Sequence, residues 1–100
     1  MEIKKTTEGN TITLELQGRL DTITSSQLEE ELKNVFNDED INLIFDFSAL
    51  DYISSSGLRV LLSAQKKINA MGTKMKIVGA NEVVKEIFDA TGFTKIMDLS

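Results

Sequence analysis

Three consecutive hydroxyls and a glycine, Ser54-Ser55-Ser56-Gly57, carry the clearest chemistry in this chain. They lie within Asp51-Tyr52-Ile53-Ser54-Ser55-Ser56-Gly57-Leu58-Arg59-Val60-Leu61-Leu62, between the apolar run Ile41 to Phe47 and a segment with helical periodicity. A nucleophilic serine needs an activating base, and the 100 residues contain neither His nor Cys. Only carboxylates, lysines and one tyrosine are left for that task, which speaks against a small hydrolase or nucleotide-binding enzyme built on Ser55. A hydroxyl without a base, at a strand-to-helix turn, suits being modified better than attacking. Helix starts offer free N–H groups and favour an anion. The pattern points to a phosphoacceptor on a non-enzymatic binding module. Helix capping is the plainer role for the same side chains. The two are compatible, with Ser56 as the cap and a neighbouring serine as the modified group.

Other chemistries find little support. Ser63-Ala64-Gln65-Lys66 matches an S-x-x-K pattern but falls mid-helix, without the companion motifs of penicillin-recognising enzymes. Glu29-Glu30-Glu31 and Asp38-Glu39-Asp40 lack the glycine and spacing of a calcium loop and read as solvated faces. There is no G-x-x-x-x-G-K-[ST] phosphate loop. No metal and no cofactor is expected. A net charge of −5 argues against nucleic acid and anionic membrane as partners. No apolar run approaches the roughly 20 residues that span a bilayer. Met1-Glu2-Ile3-Lys4-Lys5 lacks the apolar core of a signal peptide, so a cytoplasmic location is expected.

The elements that must position the serines follow from periodicity. Glu2 to Thr6 and Thr11 to Gln17 read as strands joined at Gly9-Asn10, the second with Ile12, Leu14 and Leu16 on one face and ended by Gly18. Thr24, with Gln27 three residues on, forms a capping-box pattern ahead of Leu28, Leu32, Val35 and Phe36. Asn37 to Asp40 breaks that helix. Ile41 to Phe47 is a central strand. Leu58, Leu61, Leu62 and Ile68 mark a helix from Gly57 to Met71, with Gly72 placed to end it. Lys74 to Val78 is a further strand, and Val83, Val84, Ile87 and Phe88 form the apolar face of a third helix ended by Gly92. The tail from Phe93 to Leu99 packs as a strand or a last turn. The expected fold is α/β: one domain over residues 1–100, a mixed sheet of four to five strands with helices packed against it.

With this element order, the early hairpin, Gly18-Arg19-Leu20-Asp21, the strand bearing Asp46, and above all Leu50-Asp51-Tyr52-Ile53-Ser54-Ser55-Ser56-Gly57-Leu58, the whole chain resembles the STAS family. Within it, the likeness is to the stand-alone bacterial anti-sigma factor antagonists. That resemblance implies a mixed sheet with helices on one face. It also implies partner switching. The unphosphorylated antagonist binds an anti-sigma factor that is a serine kinase of the GHKL type and thereby frees the sigma factor. The kinase ends the interaction by phosphorylating a serine of the turn, and a PP2C-like phosphatase restores it. The acceptor position, two residues before the glycine, falls on Ser55, with Ser56 and Ser54 ranked after it. Many antagonists carry Asp immediately before the acceptor, where this chain has Ser54. The implied partner-binding surface comprises Asp21, Asp51, Ser54, Ser55, Ser56, Gly57 and Leu58. In it, the two carboxylates orient the turn or meet a basic partner, and Leu58 is core or rim. The alternative is a STAS-type regulatory or scaffold subunit of a transporter, secretion or signalling complex.

Overall fold

Alternating apolar residues build the sheet, and the computed structural model describes it through residues 1–37 and 40–99. Strand β1 (Glu2–Glu8) pairs antiparallel with β2 (Thr11–Leu20), and β3 (Asn42–Ile53), β4 (Met75–Val78) and β5 (Asp98–Leu99) follow in parallel. Between them run helices α1 (Thr22–Val35), α2 (Ser55–Met71) and α3 (Glu82–Thr91), with a single 3-10 turn at Phe93–Lys95. The predicted breaker after α1 includes Asp38 and Glu39, which lie outside the described residues.

Strand order in the sheet repeats chain order, β1-β2-β3-β4-β5. Each parallel crossover therefore steps in the same direction. Right-handed crossovers that all step one way place every helix on the same face of the sheet. Burial records this. Ile12, Leu14 and Leu16 of β2, Leu43, Phe45 and Phe47 of β3, and Met75 and Ile77 of β4 are buried, while Thr13, Ile44 and Lys76 between them are partly or fully exposed. The nearly continuous apolar run of β3 is thus a central strand covered on one side, with Ile44 on the open face. Rings extend the core away from the sheet. Phe45 lies 5.9 Å from Phe47, Phe47 6.4 Å from Phe88 of α3, and Phe88 6.3 Å from Phe93, centroid to centroid. The tail supplies both the turn and the strand that its apolar residues allowed.

Two strand ends that shape the site differ from the sequence reading. Gly18 does not end β2. It sits at φ +107 beside a register shift between Gly18 and Arg19, and the strand continues to Leu20. Only glycine adopts that conformation without cost, so the residue makes a bulge rather than a stop. Likewise β3 runs on to Ile53, so Asp51, Tyr52 and Ile53 belong to the strand and the turn proper is one residue long. Both extensions carry their strands to a common end, where Leu20 pairs with Ile53.

Helix α2 starts against that end. A Cβ on Gly57 would lie 2.7 Å from Leu20 Cγ and 2.9 Å from Ile53 Cγ1, closer than side chains tolerate. Replacement Gly57→Ala should therefore destabilise the fold by about 1–3 kcal/mol through overpacking, despite alanine's better helix propensity. Equilibrium denaturation with urea would measure this; an unchanged midpoint would mean that the contact is soft.

Candidate functional site

Because β2 and β3 end together, α1 and α2 begin together. The Ser54 N–H donates to the Leu20 carbonyl at 2.8 Å, tying the start of α2 to the last residue of β2. On the other side of the joint, Thr22 Oγ1 and Ser56 Oγ lie 3.5 Å apart. The start of α3 joins the same edge, since Asn81 Nδ2 donates to the Leu50 carbonyl at 3.1 Å and faces that of Asp51 at 3.5 Å. Three helix N-termini line one edge of the sheet.

The three serines there have different surroundings. Ser54 is the N-cap of α2, with extended backbone (φ −93, ψ 173), and its Oγ accepts the Gly57 N–H at 3.2 Å. Capping therefore falls to Ser54 and not to Ser56, because β3 ends one residue before it. Ser55 is the first helical residue, exposed, and its hydroxyl has no hydrogen-bond partner among the described residues. Ser56 is half-buried and faces Thr22. Gly57 and Leu58, the latter 6% exposed, lie beneath this surface as part of the core, so they support the turn from below. Asp51 is exposed on the last stretch of β3.

Asp21 is held by its own helix. Its Oδ1 accepts the Ile23 and Thr24 N–H groups, both at 3.0 Å, making it the N-cap of α1. Thr24 completes a capping box as the third helical residue. Its Oγ1 accepts the Asp21 N–H at 2.8 Å, and its proton faces the Arg19 carbonyl at 2.7 Å and Asp21 Oδ1 at 3.1 Å. The expected cap at Thr24 with Gln27 as its partner does not form, because Asp21 already satisfies the first turn. Gln27 Nε2 donates instead to the Met1 carbonyl at 2.9 Å. The Thr24 N–H, then its hydroxyl, with the Ile23 N–H and the Arg19 charge adding, hold the Asp21 carboxyl below its ordinary value, and slight burial opposes them. The Arg19 guanidinium is also placed 4.7 Å from the centre of the Tyr52 ring.

Two apolar side chains at these helix starts are exposed, of which Ile23 was not singled out in the sequence. Ile23 is 83% exposed and Val83 50% exposed, in the first turns of α1 and α3. Ile23 lies off the buried stripe of α1 formed by Leu28, Leu32 and Val35, a detectable signal. Val83 was read as core, and that is corrected: α3 buries Val84 and Phe88 instead. Exposed apolar groups of this kind are a feature of protein-binding surfaces. No helix among the described residues is long and apolar enough to cross a membrane.

The family model of the STAS domain matches residues 2–100. The chain belongs to the STAS family. Among relatives, it is 32% identical over 85 residues to BtrV of Bordetella bronchiseptica, a candidate anti-sigma factor antagonist, covering 85% of this chain and 73% of that one. It is 30% identical over 86 residues to the anti-sigma-F factor antagonist RsfB of Mycobacterium tuberculosis, covering 86% of this chain and 70% of that one. The STAS fold here superimposes on the unphosphorylated anti-sigma factor antagonist SpoIIAA with a TM-score of 0.85 and 18% identity, over 99% of this chain and 88% of that one. The five-stranded mixed sheet with its three helices is thus the fold of stand-alone STAS proteins.

The cap of α1 makes a pH signature. A carboxyl whose folded pKa lies below its unfolded one stabilises the fold above the unfolded value, ordinarily 3.8 for this group. That contribution disappears as pH falls through the lower, folded value. Melting curves should therefore show Asp21→Ala less stable than the parent at neutral pH, with the gap closing below the ordinary aspartate pKa. Asp21→Ser, a neutral cap, should lack this acid dependence. A gap constant down to strong acid would refute the assignment.

Proposed function

We propose that this STAS domain is an anti-sigma factor antagonist switched by phosphorylation of Ser55. In this reading the unmodified chain binds, in the cytoplasm, an anti-sigma factor that is also a GHKL-type serine kinase. Binding releases the sigma factor, phosphate on Ser55 ends it, and a PP2C-like phosphatase restores it. The observation that carries the assignment is the state of Ser55: exposed, without a hydrogen bond, and at the start of a helix. Family membership and the designations of the relatives support the role.

Physical chemistry supports Ser55 over its neighbours. Modifying Ser54 would remove the cap of α2, and modifying Ser56 would crowd Thr22. Phosphate on Ser55 breaks no bond within the chain. It adds about −1.5 to −2 charges, which a helix N-terminus tolerates through its dipole and free N–H groups. The fold survives while the surface changes. At an interface a partner covering this end of the sheet would strip the phosphate of its water and leave the charge unpaired, with exposed Asp51 adding repulsion. Such burial costs several kcal/mol, and each ~1.4 kcal/mol is tenfold in affinity.

Ser54 in place of the Asp found in many antagonists fits this division of labour. Asp and Ser are about equally good N-caps, so the exchange keeps the start of α2 and removes one negative charge beside the acceptor.

Phosphopeptide mapping of the endogenous protein, isolated under phosphatase inhibition together with whatever co-purifies, tests the proposal. Phosphate on Ser55 in the free pool, with a GHKL kinase bound only to the unmodified pool, is the expected result. A turn never modified under any growth condition, with a transporter or secretion complex attached, would overturn it. With the kinase in hand, Ser55→Ala should bind constitutively and Ser55→Asp roughly 100-fold more weakly. Ser54→Ala should lose about 0.5–2 kcal/mol of stability yet still accept phosphate.

A further inference from the structure

Away from the phosphoacceptor, a groove of about 630 Å³ runs between α1 and α2. Its floor is apolar, made by Leu32, Phe36, Val60 and Ala64. Its walls carry hydroxyls, including Ser26 and Ser63, and its charged groups are Arg59, Lys67 and Lys33 against Glu29. Lys33 is engaged by Glu30 at 3.0 Å. Neither Arg59 nor Lys67 has an ion-pair partner among the described residues, and both are exposed. A chain of net charge −5 thus places positive charge without ion-pair partners along this groove. From this we infer that the groove docks an acidic amphipathic helix of a protein partner.

Three features select that occupant. Arg59 and Lys67 are eight residues apart on α2, about 12 Å along its axis, which matches carboxylates two turns apart on a docked helix. The walls are helices whose backbone groups are bonded internally, so an extended peptide would find no ladder, whereas a helix satisfies its own backbone. The apolar floor takes the anchors of such a helix, which a nucleic acid does not supply. The inference does not depend on phosphorylation of Ser55, although Thr22 and Ser56 form one end of the groove.

The test titrates the full ¹⁵N-labelled chain with a synthetic amphipathic peptide of about 15 residues, roughly four helical turns. The peptide carries leucines on one face and glutamates beside them; a control replaces each Glu by Lys. Saturable amide shifts should map to Ser26, Glu29, Val60, Ser63 and Lys67. Arg59→Glu with Lys67→Glu should weaken binding at least tenfold, and raising salt should weaken it in the parent chain. Ser55→Asp should bind within about threefold of the parent, separating this surface from the phosphoacceptor edge. If the reversed pair fails to fold, Arg59→Gln with Lys67→Gln and the salt series in the parent chain carry the comparison. Absence of saturable shifts, shifts on the open sheet face, equal binding of the Lys peptide, or a homodimer that fills the groove would each overturn the inference.

Discussion

The contact that the rest of the site depends on is the seating of α2's first turn on Leu20 and Ile53. It exists because residue 57 has no side chain: any Cβ there would press on both. With that seat available, the chain passes from strand to helix through Ser54 alone. The Ser54 N–H then reaches the Leu20 carbonyl, and α2 is locked to the neighbouring strand as well as to its own. Lift the helix off this seat and Ser56 parts from Thr22. The glycine and the buried Leu58 thus act on the site through position, and the surface belongs to their neighbours.

Topology turns this local contact into an edge. Sheet order follows chain order, so every crossover moves the same way and every helix starts at the same end of the sheet. Each N-terminus carries the equivalent of about half a positive charge together with unpaired N–H groups. Asp21, Ser54 and Asn81 meet part of that demand as caps, with a carboxylate, a hydroxyl and an amide. What remains exposed between them is small and polar at Ser55 and apolar at Ile23 and Val83. The same topology leaves the opposite face of the sheet open, which is why β3 alternates in burial although its sequence barely alternates.

Most of the architecture was legible in the residues. Period-two spacing located β2, 3.6-residue spacing located α2 and α3, and Gly72 and Gly92 ended those helices in left-handed conformation as expected. What misled was punctuation. Gly18 reads as a stop, yet in a paired strand it is absorbed as a bulge, because the ladder with β3 continues beyond it. Thr24 reads as a cap, yet Asp21 three residues earlier is an equally good acceptor and is delivered first by the extended strand. Both errors have one source: strand ends are set by pairing with a neighbour, which periodicity along a single segment does not report. The serine cluster was visible at once. The residue that caps α2 was not, since it turns on whether β3 stops at Phe47 or at Ile53.

The switch proposed for Ser55 would depend on its separation from the cap at Ser54. A cap works only when its oxygen is fixed within reach of a backbone N–H, as Ser54 is to Gly57. A phosphoacceptor needs the opposite, a hydroxyl free to enter a partner's active site and align with the transferring phosphoryl group. One side chain cannot meet both demands without unfolding the first turn on every cycle of modification. The proposed switch places the two functions on successive residues, and the cap is made by Ser54 Oγ alone. In the proposed switch the fold stays constant, because the charge added at Ser55 leaves the Ser54 cap of α2 in place.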